Sequence, residues 1–367
     1  MHDMNCLCLL LVLGFFPFSS TSTLEEKDNA APRYNISLDL PPEERWEPIL
    51  QHYNITELRS LMEGLFRLVR EQWQKSLYFL MADLYLDLIA QEPYAGEMRG
   101  IAKVFGLKTS EVVLINIFYE TVMACTSIIT EDEEGHIYHA RNMDLFFGID
   151  LKDVTLVIDF IRNGQIVYSG TTFLGFVGLY TGQSPYKFTI SANAREDNQH
   201  LWKNVFSLLV HRYPVSWLIR NTLNQAQDYE SAVAKLSDTP ITAEMYIAVA
   251  GTKSGEGVVI TRDRDGVADI LHLNVSEGRW FLLQTNYDRG TVTLHDRRMD
   301  IAARALNSTG QENINRDALY KVLSIYQVLN WGTIHTTLMS ASSPQDYVSY
   351  LRVYKGSPTR FRLPGQS

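Results

Sequence analysis

The sequence predicts an α+β fold of stacked β-sheets covered by helices on both sides. Three observations carry that expectation. Strand-like runs fall in two blocks, residues 125–193 and 245–285, with helical patterns between them. Further helical patterns precede the first block and follow the second, so each sheet has helices available to bury its outer face. The chain has 367 residues, 46% hydrophobic and 20% charged, which is globular composition and long enough to bury a full core.

Taken in order, the chain opens with an apolar run, Cys6 to Phe18, too short to span a bilayer and followed by Ser19, Ser20, Thr21 and Ser22. It reads as a secretory signal peptide cleaved near Ser20 to Thr23, although no Lys or Arg precedes it, which assigns residues 1–23 to the signal. No later stretch approaches the roughly 20 apolar residues of a membrane helix. Signal removal takes away Cys6 and Cys8 and leaves Cys125 alone, so no internal disulfide is expected. A lone thiol in a secretory chain is either a reactive residue or a buried inert one. Four N-x-[S/T] sequons, at Asn35, Asn54, Asn274 and Asn307, suit a luminal route and mark surface positions for glycosylation. The net charge of −9 argues against a nucleic-acid partner.

Alternating Tyr34, Ile36, Leu38 and Leu40 predict an extended segment over Arg33 to Leu40, ended by Pro41 and Pro42. Ile55 to Ile89 carries two helical stripes, one through Leu58, Leu61, Met62, Leu65 and Val69, the other through Leu77, Leu80, Met81, Leu84 and Leu88. Phe66, Trp73 and Phe79 widen these faces, as a helix pair packed on a core or as a lipid contact. Past Pro93 a short helix is expected at Ser110 to Thr121, with Ser110 as its N-cap. Strands follow at Cys125 to Thr130 and His136 to Asn142. Val154 to Ile161 and Gln165 to Phe173 flank Asn163-Gly164, the dipeptide suited to a type I′ hairpin turn. Phe188 to Asn193 is another strand; helices are expected near Trp202 to Arg212, Pro214 to Leu223 and Tyr229 to Leu236. Strands resume at Met245 to Gly251, Gly257 to Arg262, Ala268 to Leu273 and Trp280 to Thr285, and helices near Arg297 to Leu306 and Arg316 to Leu323 close the pattern.

Several chemistries are set aside. The chain has no G-x-S-x-G elbow, H-E-x-x-H, P-loop or G-x-G-x-x-G. His136 and His139, three apart on a strand, face opposite sides, so no metal is expected. What remains is Cys125 at the start of a strand, where a helical segment ends. Cleavage before it creates an N-terminal thiol whose own α-amine, of reference pKa about 7.7–8.0, can serve as base.

The runs Cys125-Thr126-Ser127-Ile128-Ile129, Gly135-His136-Ile137-Tyr138-His139 and Arg141-Asn142-Met143-Asp144 resemble the acid ceramidase family, most closely its N-acylethanolamine-hydrolysing branch. Further matching stretches are Gly96-Glu97-Met98-Arg99-Gly100, Gly182-Gln183-Ser184-Pro185 and Gln284-Thr285-Asn286-Tyr287-Asp288, and the resemblance spans nearly all of the mature chain. It implies a four-layer αββα N-terminal-nucleophile sandwich with a helical α-chain, residues 24–124, packed on a β-chain, residues 125–367. The implied chemistry is lysosomal hydrolysis of N-acylethanolamines after self-cleavage between Ala124 and Cys125, without a cofactor. Implied partners are the lipid substrate, a lipid surface, and each chain for the other. Ceramide-like substrates, or an impaired homologue that only binds lipid, are the competing readings. By resemblance Cys125 is the nucleophile, Asp144 holds its amine, Arg141 orients the site and favours the thiolate, and Asn286 donates to the oxyanion. The family glutamate that follows the Asn193 position is Ala194 here, with Glu196 two residues on as an imperfect substitute. Leu145 and Tyr180 stand where the branch has larger aromatics.

Overall fold

The computed structural model describes residues 29–54, 91–119, 123–145, 151–195, 212–291 and 296–354, with isolated positions between 56 and 67. Its elements begin with β1 (Arg33–Ser37), α1 (Glu47–Leu50), α2 (Tyr94–Phe105), α3 (Thr109–Tyr119), β2 (Met123–Glu131) and β3 (Ile137–Leu145). Then come β4 (Thr155–Arg162), β5 (Gln165–Phe173), β6 (Thr181–Ser184), β7 (Phe188–Ala194), α4 (Val215–Gln225) and α5 (Tyr229–Asp238). The remainder is β8 (Met245–Ala250), β9 (Gly257–Arg262), β10 (Val267–His272), β11 (Phe281–Gln284), α6 (Arg298–Thr309), α7 (Arg316–Leu323), β12 (Thr333–Met339) and β13 (Val348–Leu351).

The strands form two sheets, one of eight in the order β1-β4-β5-β6-β7-β8-β9-β10 and one of five in the order β11-β2-β3-β12-β13. Asn163 and Gly164 take φ of 50° and 75°, so the β4–β5 hairpin closes on the turn that Asn-Gly favours. Period-two alternation sorts the side chains into layers. On the outer face of the five-stranded sheet, Ile128, Ala140 and Leu338 pack against Leu306, Leu319 and Val322 of α6 and α7. Leu156, Ile158, Ile190 and Ile247 of the larger sheet share a core with Met98, Val112, Leu218 and Leu236 from α2 to α5. The resulting order is helix, sheet, sheet, helix. Among the described residues no helix is long and apolar enough to cross a membrane.

The contact between the two sheets is apolar at one end, where Ile129 and Ile137 meet Tyr246, Ala248 and Val259. Elsewhere it is hydroxyl-rich. Ser127 Oγ donates to Asn193 Oδ1 (2.8 Å), Ser191 Oγ donates to Ser127 Oγ (2.8 Å), and the His139 ring nitrogens lie 2.8 Å from Thr189 Oγ1 and 2.8 Å from Ser191 Oγ. Burial, with Arg141 nearby, drives the pKa of His139 down to about 3, and that of His335 likewise to about 3. Between about pH 6.5 and pH 3 the unfolded chain therefore takes up protons that the folded one refuses. Stability falls with acidification by up to about 1.4 kcal/mol per pH unit for each histidine. His139→Gln keeps a neutral donor and acceptor, so it is expected to flatten the fall in melting temperature between pH 7 and pH 4.5. An unchanged slope would contradict this account of His139.

Several elements depart from the pattern read in the sequence, the short α1 among them. Helix α2 was not expected, because Gly96 and Gly100 weaken its helical pattern. Both glycines serve close packing: a Cβ on Gly100 would lie 2.0 Å from the carbonyl oxygen of Glu43. β6, β12 and β13 were also unexpected. Their inward faces present Thr181, Gln183, His335, Thr337 and Ser349, all buried, to the polar layer between the sheets, so hydrophobic alternation is absent. β1 ends at Ser37 rather than Leu40, and Cys125 is the third residue of β2 rather than its first. The signal region, the helical stripes of Ile55 to Ile89 including Phe66 and Trp73, and the helix expected at Trp202 to Arg212 lie wholly or mostly outside the described residues.

Candidate active site

β2 and β3 pair antiparallel with Cys125 opposite Met143, Ser127 opposite Arg141 and Ala124 opposite Asp144. Opposed residues share a face, so Arg141 lies diagonal to Cys125 on the side turned to the larger sheet. Its Nη2 donates to Cys125 Sγ, while Nη1 donates to the Tyr180 carbonyl (2.9 Å) and Thr181 Oγ1 (2.8 Å). Asp144 has the opposite parity and points toward α6. Its Oδ1 accepts from Thr333 Oγ1 (2.7 Å), and its Oδ2 accepts from Asn330 Nδ2 (2.8 Å) and Arg298 Nη1 (3.2 Å).

Asn286 follows β11, which pairs with β2 through Gln284 opposite Ser127. That register carries Asn286 to the main chain of Cys125. Asn286 Oδ1 accepts from the Cys125 amide (2.9 Å) and from Arg298 Nη2 (2.8 Å), and its Nδ2 donates to the Ala194 carbonyl (2.7 Å). In the uncut chain it is thus the carbonyl end of Asn286 that faces residue 125. Of the four residues singled out in the sequence, Arg141 contacts the Cys125 thiol, Asn286 its amide, and Asp144 lies opposite the preceding Ala124. Arg298, which sequence reasoning did not single out, ties them together. It donates to the Cys125 carbonyl (2.9 Å) as well as to Asp144 and Asn286, and Asp296 carboxylate oxygens engage its Nε and Nη2. Its signal in the sequence was only a charged Asp-Arg-Arg run before a helical pattern, which ordinarily reads as a solvated face.

Cys125, Arg141 and Asp144 have no exposed surface. Burial pushes the Cys125 thiol pKa up, outweighing the opposing pull of Arg141 and Arg298. The thiolate expected beside Arg141 is therefore not favoured in the uncut chain. Burial also raises the Asp144 carboxyl, against the pull of Arg298 and the hydrogen bonds from Thr333 and Asn330.

Ala194, at the family glutamate position, ends β7 and contributes its backbone carbonyl to Asn286, a bond independent of the side chain. Glu196 lies outside the described residues. Leu145 and Tyr180 are buried in the core that contains Cys125, with the Tyr180 ring stacked 5.6 Å from Phe176. Asn35, Asn54 and Asn307 are exposed; Asn274 is half-buried and its Oδ1 accepts from Ser276 Oγ (2.7 Å). His139, on β3, is buried, and His136, which precedes the strand rather than lying on it as expected, is exposed. Among the described residues, Asp132, Glu134 and His136 bring possible metal-ligand atoms within 4.8 Å of one another, but His136 is already bonded to Asp132 on an exposed turn.

Comparison with known proteins gives a consistent set of matches. Residues 29–90 match the family described as the beta subunit of N-acylethanolamine-hydrolyzing acid amidase, and residues 125–313 match the linear amide C–N hydrolases of the choloylglycine hydrolase family. The second match begins at Cys125. The chain is 43% identical over 325 residues to N-acylethanolamine-hydrolyzing acid amidase of Cavia porcellus, covering 88% of this chain and 91% of that protein. It is 39% identical over 344 residues to acid ceramidase of Mus musculus, covering 88% and 86%. Among solved structures, the Caenorhabditis elegans N-acylethanolamine-hydrolyzing acid amidase ortholog matches with a TM-score of 0.59 at 35% identity, over 62% of this chain and all of that one.

Proposed function

The chain belongs to the family of N-acylethanolamine-hydrolysing acid amidases and acid ceramidases and is a hydrolase of amide bonds, and from that premise we propose that it is a self-processing lysosomal cysteine amidase acting on N-acylethanolamines. One observation carries the reading. Arg141 contacts the Cys125 thiol, while Asn286 and Arg298 hold the amide and carbonyl of the same residue. Such convergence on one buried residue, at its thiol, its amide and its carbonyl, supports chemistry at that residue.

In processing, the Cys125 thiol attacks the Ala124 carbonyl. The C–N bond breaks, the amide nitrogen takes the proton, and water hydrolyses the resulting thioester to a free thiol, a free α-amine and the Ala124 carboxylate. Before the cut Ala124 occupies the ladder position opposite Asp144. Its departure leaves the new amine next to that carboxylate and opens a slot beside the thiol. In turnover the amine takes the thiol proton and the thiolate, held by Arg141, attacks the acyl carbon. Ethanolamine leaves with the proton returned by the ammonium, and water releases the fatty acid. Arg141 and Arg298, two cations close to the amine, oppose its protonation in acid. Asn286 stabilises the oxyanion only if its Nδ2, given to the Ala194 carbonyl in the uncut chain, turns toward the thiol after the cut; loss of such a donor typically costs ~10²–10³ in rate.

The apolar N-terminal run and the sequons support the lysosomal route. The substrate class is tested by product analysis with palmitoyl ethanolamide and N-palmitoyl sphingosine. Faster release of ethanolamine is the expected result; faster release of sphingosine would assign the chain to ceramide instead. Ala194→Glu restores the carboxylate of the family and is expected to speed processing or hydrolysis several-fold. If neither rate changes, position 194 has no catalytic weight in this chain.

A further inference from the structure

Glu97 of α2 is fully buried, yet its carboxylate accepts four N–H donors. Arg45 Nη1 lies 3.1 Å from Oε1 and Trp46 Nε1 lies 3.0 Å from Oε2. Arg220 of α4 closes the other side as a fork, with Nη2 2.7 Å from Oε1 and Nη1 2.6 Å from Oε2. Arg220, itself 1% exposed, is seated by the Val177 carbonyl (2.7 Å), the Tyr168 hydroxyl (3.1 Å) and the Phe160 ring, 4.5 Å from its guanidinium carbon. These groups divide by sequence. Arg45, Trp46 and Glu97 precede Cys125, whereas Phe160, Tyr168, Val177 and Arg220 follow it. One side builds a socket with a carboxylate at its base, and the other holds a guanidinium plug.

Resting on the division of the chain at Ala124–Cys125, we propose that the Glu97–Arg220 pair is the lock that keeps the two fragments together without a disulfide. While the chain is intact, its continuity holds the halves at high effective concentration. Once it is cut, association depends on contacts alone. A buried bidentate ion pair suits that task because separating it, or docking out of register, leaves a charge unpaired in the core. Among the described residues the other crossing ion pair, Arg33 with Asp159, is peripheral: the Arg33 side chain is 38% exposed and sits on edge strand β1.

The test is size-exclusion chromatography of acid-incubated protein over a dilution series, with a denaturing gel to read cleavage. Wild type is expected to show two bands on the gel and one particle on the column. Glu97→Gln is expected to show the same two bands, but its fragments should elute apart at a concentration at least 100-fold above that at which wild type separates. Arg33→Ala should shift that concentration no more than a few-fold. Cys125→Ala/Glu97→Gln, which stays uncut, reports whether the substitution permits folding. If it does not, Arg220→Lys, which keeps the charge and loses the fork, is read in its place. Two bands that co-elute at the wild-type concentration in Glu97→Gln or Arg220→Lys, or separation by Arg33→Ala as readily, would overturn the lock alone. A single uncut band in wild type would overturn the division of the chain, and the lock with it.

Discussion

Cys125→Ala is expected to give a folded, full-length chain that never divides in acid and hydrolyses no acyl ethanolamide. The substitution removes Sγ, the atom that Arg141 contacts, and leaves the surrounding hydrogen bonds to the main chain of residue 125 in place. Losing a small buried thiol leaves a minor void, so the melting temperature should shift by only a few degrees. Cys125→Ser should lose most activity as well, because an alkoxide is far harder to form in acid than a thiolate. A gel and an ethanolamine assay read both variants. Normal fragments from Cys125→Ala would transfer the cleavage to an external protease.

Replacing Arg298 should have the next largest effect. Arg298→Met strips donors from the Cys125 carbonyl, Asp144 and Asn286 and leaves Asp296 facing an apolar side chain. Breaking one side of a buried charge cluster typically costs roughly 3–5 kcal/mol, so both stability and processing should fall. Arg298→Lys separates the two effects. It keeps a cation between Asp144 and Asp296 but lacks the fork that reaches the Cys125 carbonyl and Asn286 together. Processing slower by about two orders of magnitude, with the melting temperature largely retained, is expected. Processing at the wild-type rate in Arg298→Lys would show that charge alone matters there.

The sequence exposed the site unevenly, for physical reasons. Elements such as β9 over Gly257–Arg262 and the Asn163-Gly164 hairpin were legible because a run of apolar β-branched residues, Val258 to Ile260, marks the first and the turn of the second demands a particular backbone. β12 was not. It is buried throughout, and its inward side carries His335 and Thr337, which satisfy each other with Ser349 rather than packing on hydrocarbon. Cys125 stood out as a lone thiol, and Arg141, Asp144 and Asn286 came with family motifs. Arg298 belongs to the site only because α6 begins where β2 and β11 meet, a long-range placement that no local pattern encodes. The same holds for Arg220 and Glu97, 123 positions apart and in contact only once the sheet and its helices are packed.

The central claim is that Cys125 becomes the first residue of a second fragment. N-terminal sequencing and intact mass of wild-type protein after acid incubation test it most directly. The account predicts one fragment ending at Ala124 and another whose first residue is Cys125 with a free α-amine. A fragment beginning at any other residue, or an active protein that remains a single chain, would contradict it.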